Sequence, residues 1–309
     1  MFKKILVPLD GSRLAEEVIC PYVIELSVSL DLDVIILHVC SPGEQAFNTM
    51  HKAYVDQIAE TIANQAKEVQ LKTALKKKAK TIIIKGEITI GYPAEQILSY
   101  AEKYKFDFIL MATHGYSGIK KWSISSVADK VLRSSKIPVL LVRTEITQEI
   151  TYDKWPHIKL LIPLDSSKLA ESVLPYVEKL AKQRCDKELD VVLMAVCEQY
   201  SIPSELSEAS QMYGWKEYVN HMTSELKKMY KQYLTGVEKN LTDSGLRVKS
   251  KILLGKAAQR INEFAIKEPF CLTVLATHGR TGYVSSDYGD VTNKVIREGV
   301  SPIFLVRTH

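Results

Sequence analysis

The 309-residue chain lacks any apolar run near the ~18 residues a membrane span requires. Its opening, MFKKILVPLD, reaches Asp10 after too few apolar residues for a secretory signal. The five cysteines form no Cys-x-x-Cys pair and are odd in number. That argues against a disulfide framework or a zinc site and fits a reducing, cytoplasmic setting. Charge of one sign is scarce as well: 41 Lys and Arg against 36 Asp and Glu leave a formal net charge of +5. Nucleic acid is therefore not an expected partner, since its binders concentrate Lys and Arg on one face. Two phosphate-binding signatures are missing. Without GxxxxGK[ST] a P-loop NTPase is excluded at motif level, and without GxGxxG a standard dinucleotide fold is disfavoured.

What is present is said twice. ILVPLD at Ile5–Asp10 returns as LLIPLD at Leu160–Asp165, and SRLAE at Ser12–Glu16 returns as SKLAE at Ser167–Glu171. ATHG at Ala112–Gly115 returns at Ala276–Gly279, and PVLLVR at Pro138–Arg143 returns as PIFLVR at Pro302–Arg307. The offset is 155 residues at Asp10/Asp165, 157 at Val39/Val196 and 164 at both later motifs. Conserved order and spacing on this scale mean two copies of one domain. We expect them at 1–147 and 155–309, joined by the polar, aperiodic stretch 145–157. The seven extra residues of the second copy are expected near 198–216.

Short β-branched apolar runs alternate with helical spacing in each half. Strands are expected at 3–8, 33–39, 81–85, 107–112 and 138–143, and again near 159–163, 190–196, 248–253, 271–276 and 302–307. Near-continuous apolarity means cover on both faces, as in parallel sheets. The expected fold is α/β: two tandem doubly wound domains, each with a five-stranded, mainly parallel sheet flanked by helices. Lys76, Lys77 and Lys78 close a helix, where cations meet the negative end of its dipole.

Ligands of such sheets bind beyond the carboxyl ends of the strands. Pro8, Leu9 and Asp10 fall there, as do Pro163, Leu164 and Asp165. An aspartate at this point can accept from a ribose hydroxyl or an adenine amino group, or it can cap the following helix. Ser12 and Ser167 can take the capping role, which would release the aspartates. Val39 and Val196 end the second strand, where an apolar side chain packs equally well on a base or in the core. The richest segment is Met111, Ala112 and Thr113 through Gly115 to Ser125, Ser126 and Val127. Glycine admits backbone amides close to an anion, a helix start adds N–H groups and a favourable dipole, and serine hydroxyls can donate to phosphate. His114 and His278 have no nucleophile at recognisable spacing, so no catalytic residue is assigned.

These motifs, with GYPAE at Gly91–Glu95 and SVADKVLR at Ser126–Arg133, resemble the universal stress proteins in their tandem form. The resemblance runs over nearly the whole chain. It implies an adenine-nucleotide α-hydrolase-like fold, ATP binding by some members, dimerisation through the last strand and a role in stress survival. Nucleotide-binding members carry Gly-x-x-Gly, nine residues, then Gly-Ser or Gly-Thr. Carried over, that pattern falls on Ala112, Gly115, Ser125 and Ser126 in the first half and on Ala276, Gly279, Gly289 and Asp290 in the second. The first half keeps the phosphate-facing hydroxyl, and the second places a carboxylate there. From Gly115 to Val127 the loop carries +2 (Lys120, Lys121); from Gly279 to Val291 it carries −1 (Arg280, Asp287, Asp290). Two like charges at ~4 Å repel by about 4 kcal/mol at an effective dielectric near 20, so Asp290 disfavours a polyphosphate.

The expected ligand is thus an adenine nucleotide, ATP with ADP and AMP as variants and Mg²⁺ accompanying the phosphates, held by the first half in a sensor or adaptor and not an enzyme. The rival readings are a slow ATP hydrolase of the same fold and a nucleotide-free interaction module. The two last strands are expected to meet as an internal pseudo-dimer, and a second copy of the chain is a further expected partner.

Overall fold

In the computed structural model, the described residues are 1–43, 45–73, 81–113, 124–143, 157–184, 188–198, 215–268, 271–278 and 289–308. The expected linker, the loop insertion of the second half and the Lys76–Lys78 run lie almost wholly outside them. The first half contains β1 (Lys4–Pro8), α1 (Arg13–Ser29), β2 (Asp33–Cys40), α2 (Asn48–Thr73), β3 (Ile84–Ile90), α3 (Pro93–Lys103), β4 (Phe108–Ala112), α4 (Ser126–Ser134) and β5 (Val139–Val142). The second repeats the order with β6 (His157–Pro163), α5 (Lys168–Glu171), α6 (Leu174–Gln183), β7 (Glu188–Cys197), α7 (Trp215–Asp243), β8 (Arg247–Leu254), α8 (Ala257–Lys267), β9 (Cys271–His278), α9 (Asp290–Glu298) and β10 (Ile303–Thr308). Within each half every strand pairing is parallel.

The halves share one ten-stranded sheet of order β3-β2-β1-β4-β5-β10-β9-β6-β7-β8. Its centre is the antiparallel pair β5–β10, with Leu141 opposite Ile303 and Val139 opposite Leu305. The last strands therefore meet as expected, and each covers an edge the other would leave open. Alternation along the buried strands sends Ile5, Phe108, Leu140 and Phe304 to one face and Leu6, Ile109, Leu141 and Ile303 to the other. α1, α2, α6 and α7 cover the first face, whereas α3, α4, α8 and α9 cover the second. Both cores run unbroken from one half to the other. Phe2, Phe108 and Phe304 join edge to face across the junction, with centroids 5.5 to 6.4 Å apart.

Polar ties reinforce this junction. Gln183 accepts from the Phe2 N–H and donates to the Phe2 and Leu30 carbonyls. Arg184, at the end of α6, meets Glu25 of α1 at 2.5 Å with both side chains 3% exposed. On the other side of the sheet, Arg143 donates to the carbonyls of Val295 and Ile296.

The third strand departs from expectation. The apolar run Ile82–Ile84 suggested 81–85, but β3 spans Ile84–Ile90 and Ile83 is exposed. As an edge strand β3 has one partner, so its pattern alternates instead of running apolar. Gly86 is required there by contact: a Cβ would fall 2.6 Å from the Val55 backbone of α2.

Two outcomes follow. Leu141→Pro, which removes an N–H from the central pair, is expected to enlarge the molecule in small-angle scattering; an unchanged profile would refute the junction. Arg184→Ala strands the Glu25 carboxylate and is expected to cost about 3–5 kcal/mol in urea denaturation, most of it recovered when Glu25→Met and Arg184→Met are combined.

Candidate functional site: a forked crevice in each half

The order β2-β1-β4-β5 places a topological switch between β1 and β4. Those two strands pair only at Ile5–Phe108 and Leu6–Ile109. Beyond that point each follows its outer neighbour: Leu9 N–H donates to the Leu37 carbonyl at 2.9 Å, and Thr113 N–H to the Val142 carbonyl at 2.9 Å. Pro8, lacking an N–H, offers β4 no donor at the fork. A crevice of about 280 Å³ opens between the tips.

Of the ten residues expected at the first site, Pro8, Leu9, Asp10, Val39, Met111, Ala112, Ser125, Ser126 and Val127 all line this crevice. Gly115 lies outside the described residues, with His114, Lys120 and Lys121. Sequence reading missed Ala15 and Ile19 of α1, Leu37 of β2, and Pro93 and Ile97 of α3, which complete the apolar walls. Their signal was the helical and strand pattern itself, which does not distinguish a pocket wall from core.

Asp10 is more engaged than expected. Ser12 does cap α1, its Oγ accepting from Ala15 N–H at 3.3 Å, but Asp10 Oδ1 also accepts from Ser12 N–H at 3.1 Å. The expectation that the serine would release the aspartate is corrected: the turn holds one carboxylate oxygen while the side chain stays at the crevice rim. The second half repeats it, with Asp165 on Ser167 N–H at 2.9 Å and Ser167 on Ala170 N–H at 3.1 Å.

At the opposite rim Ser125 caps α4, its Oγ accepting from Ala128 N–H at 3.1 Å. A capping hydroxyl still has its own hydrogen to donate. Ser126 is exposed as the first residue of α4, and helix geometry leaves the amides of Ser126 and Val127 without intrahelical acceptors. Among the described residues, this rim therefore presents two hydroxyls, two amides and the positive end of a dipole. The one acidic residue in the first turn of α4, Asp129, does not line the crevice and pairs with Arg133 at 2.7 Å.

The second crevice is as open, at about 260 Å³, and Pro163, Asp165, Val196, Ala276, Gly289 and Asp290 line it. Gly279, Arg280 and Asp287 lie outside the described residues. Leu164 lines it too, as its place in the PLD turn suggested, and Met194, Ala257, Ile261 and Leu275, not singled out from sequence, add to its walls. The halves differ at the helix start. Gly289 takes φ 73°, a conformation that favours glycine, and supplies no side-chain cap. Asp290 follows as the exposed first residue of α9 and lines the crevice, whereas the first-turn carboxylate of α4, Asp129, stands outside the first crevice. Among the described residues the crevices are alike in size and differ in the charge that lines the helix start.

No helix among the described residues is long and apolar enough to cross a membrane. The model of the universal stress protein family matches residues 1–143 and again 158–307. Among curated proteins, a universal stress protein of Methanocaldococcus jannaschii is 28% identical over 143 residues, 46% of this chain and 83% of that one. Universal stress protein YxiE of Bacillus subtilis is 32% identical over 152 residues, 46% of this chain and all of that one. Each relative thus spans about half of the chain. A solved universal stress protein from Archaeoglobus fulgidus covers 98% of both chains with a TM-score of 0.60 at 19% identity, a likeness of fold. With both halves matched, this chain belongs to the universal stress protein family, as a tandem pair of its domains.

Proposed function

We propose that the chain is a cytoplasmic adenine-nucleotide-binding stress protein, a sensor or adaptor whose ligand occupies the first crevice. The observation that carries this reading is the neutral, hydroxyl-bearing rim at Ser125 and Ser126, set against Asp290 in an equally open second crevice. The lining fits the ligand by chemistry. Val39, Ile97 and Met111 offer apolar surface to a base, Asp10 offers an acceptor to a ribose hydroxyl or adenine amine, and the start of α4 offers donors to phosphates. A crevice near 280 Å³ suits the nucleoside, with the phosphates and their Mg²⁺ at the α4 rim. ATP is the first candidate, with ADP and AMP sharing the same nucleoside contacts.

Isothermal titration with ATP and Mg²⁺ tests the reading. Ser126→Asp, which copies the second half's chemistry onto the first, is expected to weaken binding at least tenfold; unchanged affinity would overturn it. Asp290→Ser is expected to add a second, weaker binding event. Phosphate release that Ser126→Asp abolishes would favour the hydrolase reading instead.

A further inference from the structure

On the opposite face of β2 from Val39, three side chains with metal-ligating chemistry converge. His38 and Cys40, two residues apart on one strand, point to the same face and are buried. His51, on the first turn of α2, is half-buried and stacks on His38 with ring centroids 4.7 Å apart and planes at 20°. One ligand atom from each of the three lies within 4.8 Å of the others. A tetrahedral ion with bonds of ~2.0 to 2.3 Å asks for separations of about 3.3 to 3.8 Å, so the trio needs to close by roughly 1 Å.

The hydrogen bonding selects for it. His38 Nδ1 lies 2.9 Å from the Leu9 carbonyl oxygen, which can only accept. Nδ1 therefore carries the hydrogen and Nε2 keeps its lone pair, the arrangement by which a backbone carbonyl orients a metal-bound imidazole. Tyr54 closes the group, edge to face on His38 and donating to Glu16 at 2.5 Å.

The second half supplies an internal control. Tyr233 lies near Glu171 of α5 as Tyr54 lies near Glu16 of α1, although among the described residues the Tyr233 hydroxyl makes no hydrogen bond and the Tyr54 hydroxyl bonds Glu16. Matching these tyrosines pairs His51 with Tyr230, and matching Val39 with Val196 pairs His38 with Ala195 and Cys40 with Cys197. Only the cysteine is common to both halves, so the fold itself does not require the two histidines.

We propose that His38, Cys40 and His51 form a site for one divalent transition-metal ion of the zinc class, with a fourth position for water. Binding displaces the Cys40 thiol proton to solvent as the thiolate coordinates. The site shares no side chain with the nucleotide crevice and stands or falls separately.

The test is titration of the nucleotide-free full-length protein with Co²⁺, read by the thiolate-to-cobalt absorption band, followed by Zn²⁺ displacement. One equivalent with that band is expected. Cys40→Ser should abolish the band, His51→Gln should weaken binding more than tenfold with an unchanged circular dichroism spectrum, and Cys197→Ser should leave both intact. Absence of the band, or its survival in Cys40→Ser, would show that the histidines stack only as packing and would overturn the proposal.

Discussion

Both crevices exist because paired strands part company at a fixed point. β1 and β4 run side by side for two residue pairs, then Leu9 stays with β2 and Thr113 with β5. In the second half β6 and β9 pair from Lys159–Cys271 to Leu161–Thr273, after which Leu164 stays with β7. The amides of Leu9, Thr113 and Leu164 face away from the forks and stay bonded to their outer neighbours, so each strand remains in the sheet while the facing edges part. The same parts surround both forks: a helix start on each rim, capped by serine at α1, α4 and α5 but not at α9, apolar walls beneath, and the aspartate where strand hands over to helix.

The central pair β5–β10 stabilises that arrangement. It turns two five-stranded sheets into one, and the Phe2–Phe108–Phe304 contact, the Gln183 hydrogen bonds and the buried Arg184–Glu25 pair lock the halves from one face. A buried ion pair contributes little net stability against an apolar replacement, but it punishes any arrangement that separates its partners. Its role here is to specify how the halves meet. With both central edges used, the remaining edges are β3 and β8, whose alternating polar patterns suit solvent.

Much of this was legible in the residues. Duplicated strand tips, the PLD turn, the serine caps and the rim at Ser125–Val127 were readable because a repeat separates what the fold demands from what one half alone carries. The edge strand β3 misled because an apolar triplet outscored a weak alternating pattern. Asp10's bond to Ser12 N–H was hidden because two capping schemes share one sequence. The Arg184–Glu25 pair joins residues 159 apart, and the His38–Cys40–His51 trio draws on a strand and a separate helix. Spacing rules built on paired cysteines pass over such a group, which is why the sequence argued against a zinc site.

On the proposed function, duplication lets one site change its ligand chemistry while the fold is kept: Ser126 and Asp290 begin equivalent helices, and a carboxylate there interacts favourably with the helix dipole where a serine leaves it open. A crystal structure of the full chain grown with ATP and Mg²⁺ tests this account most directly. It predicts one nucleotide per chain, in the crevice between β1 and β4 with its phosphates over the start of α4. Nucleotide found only between β6 and β9 would contradict it.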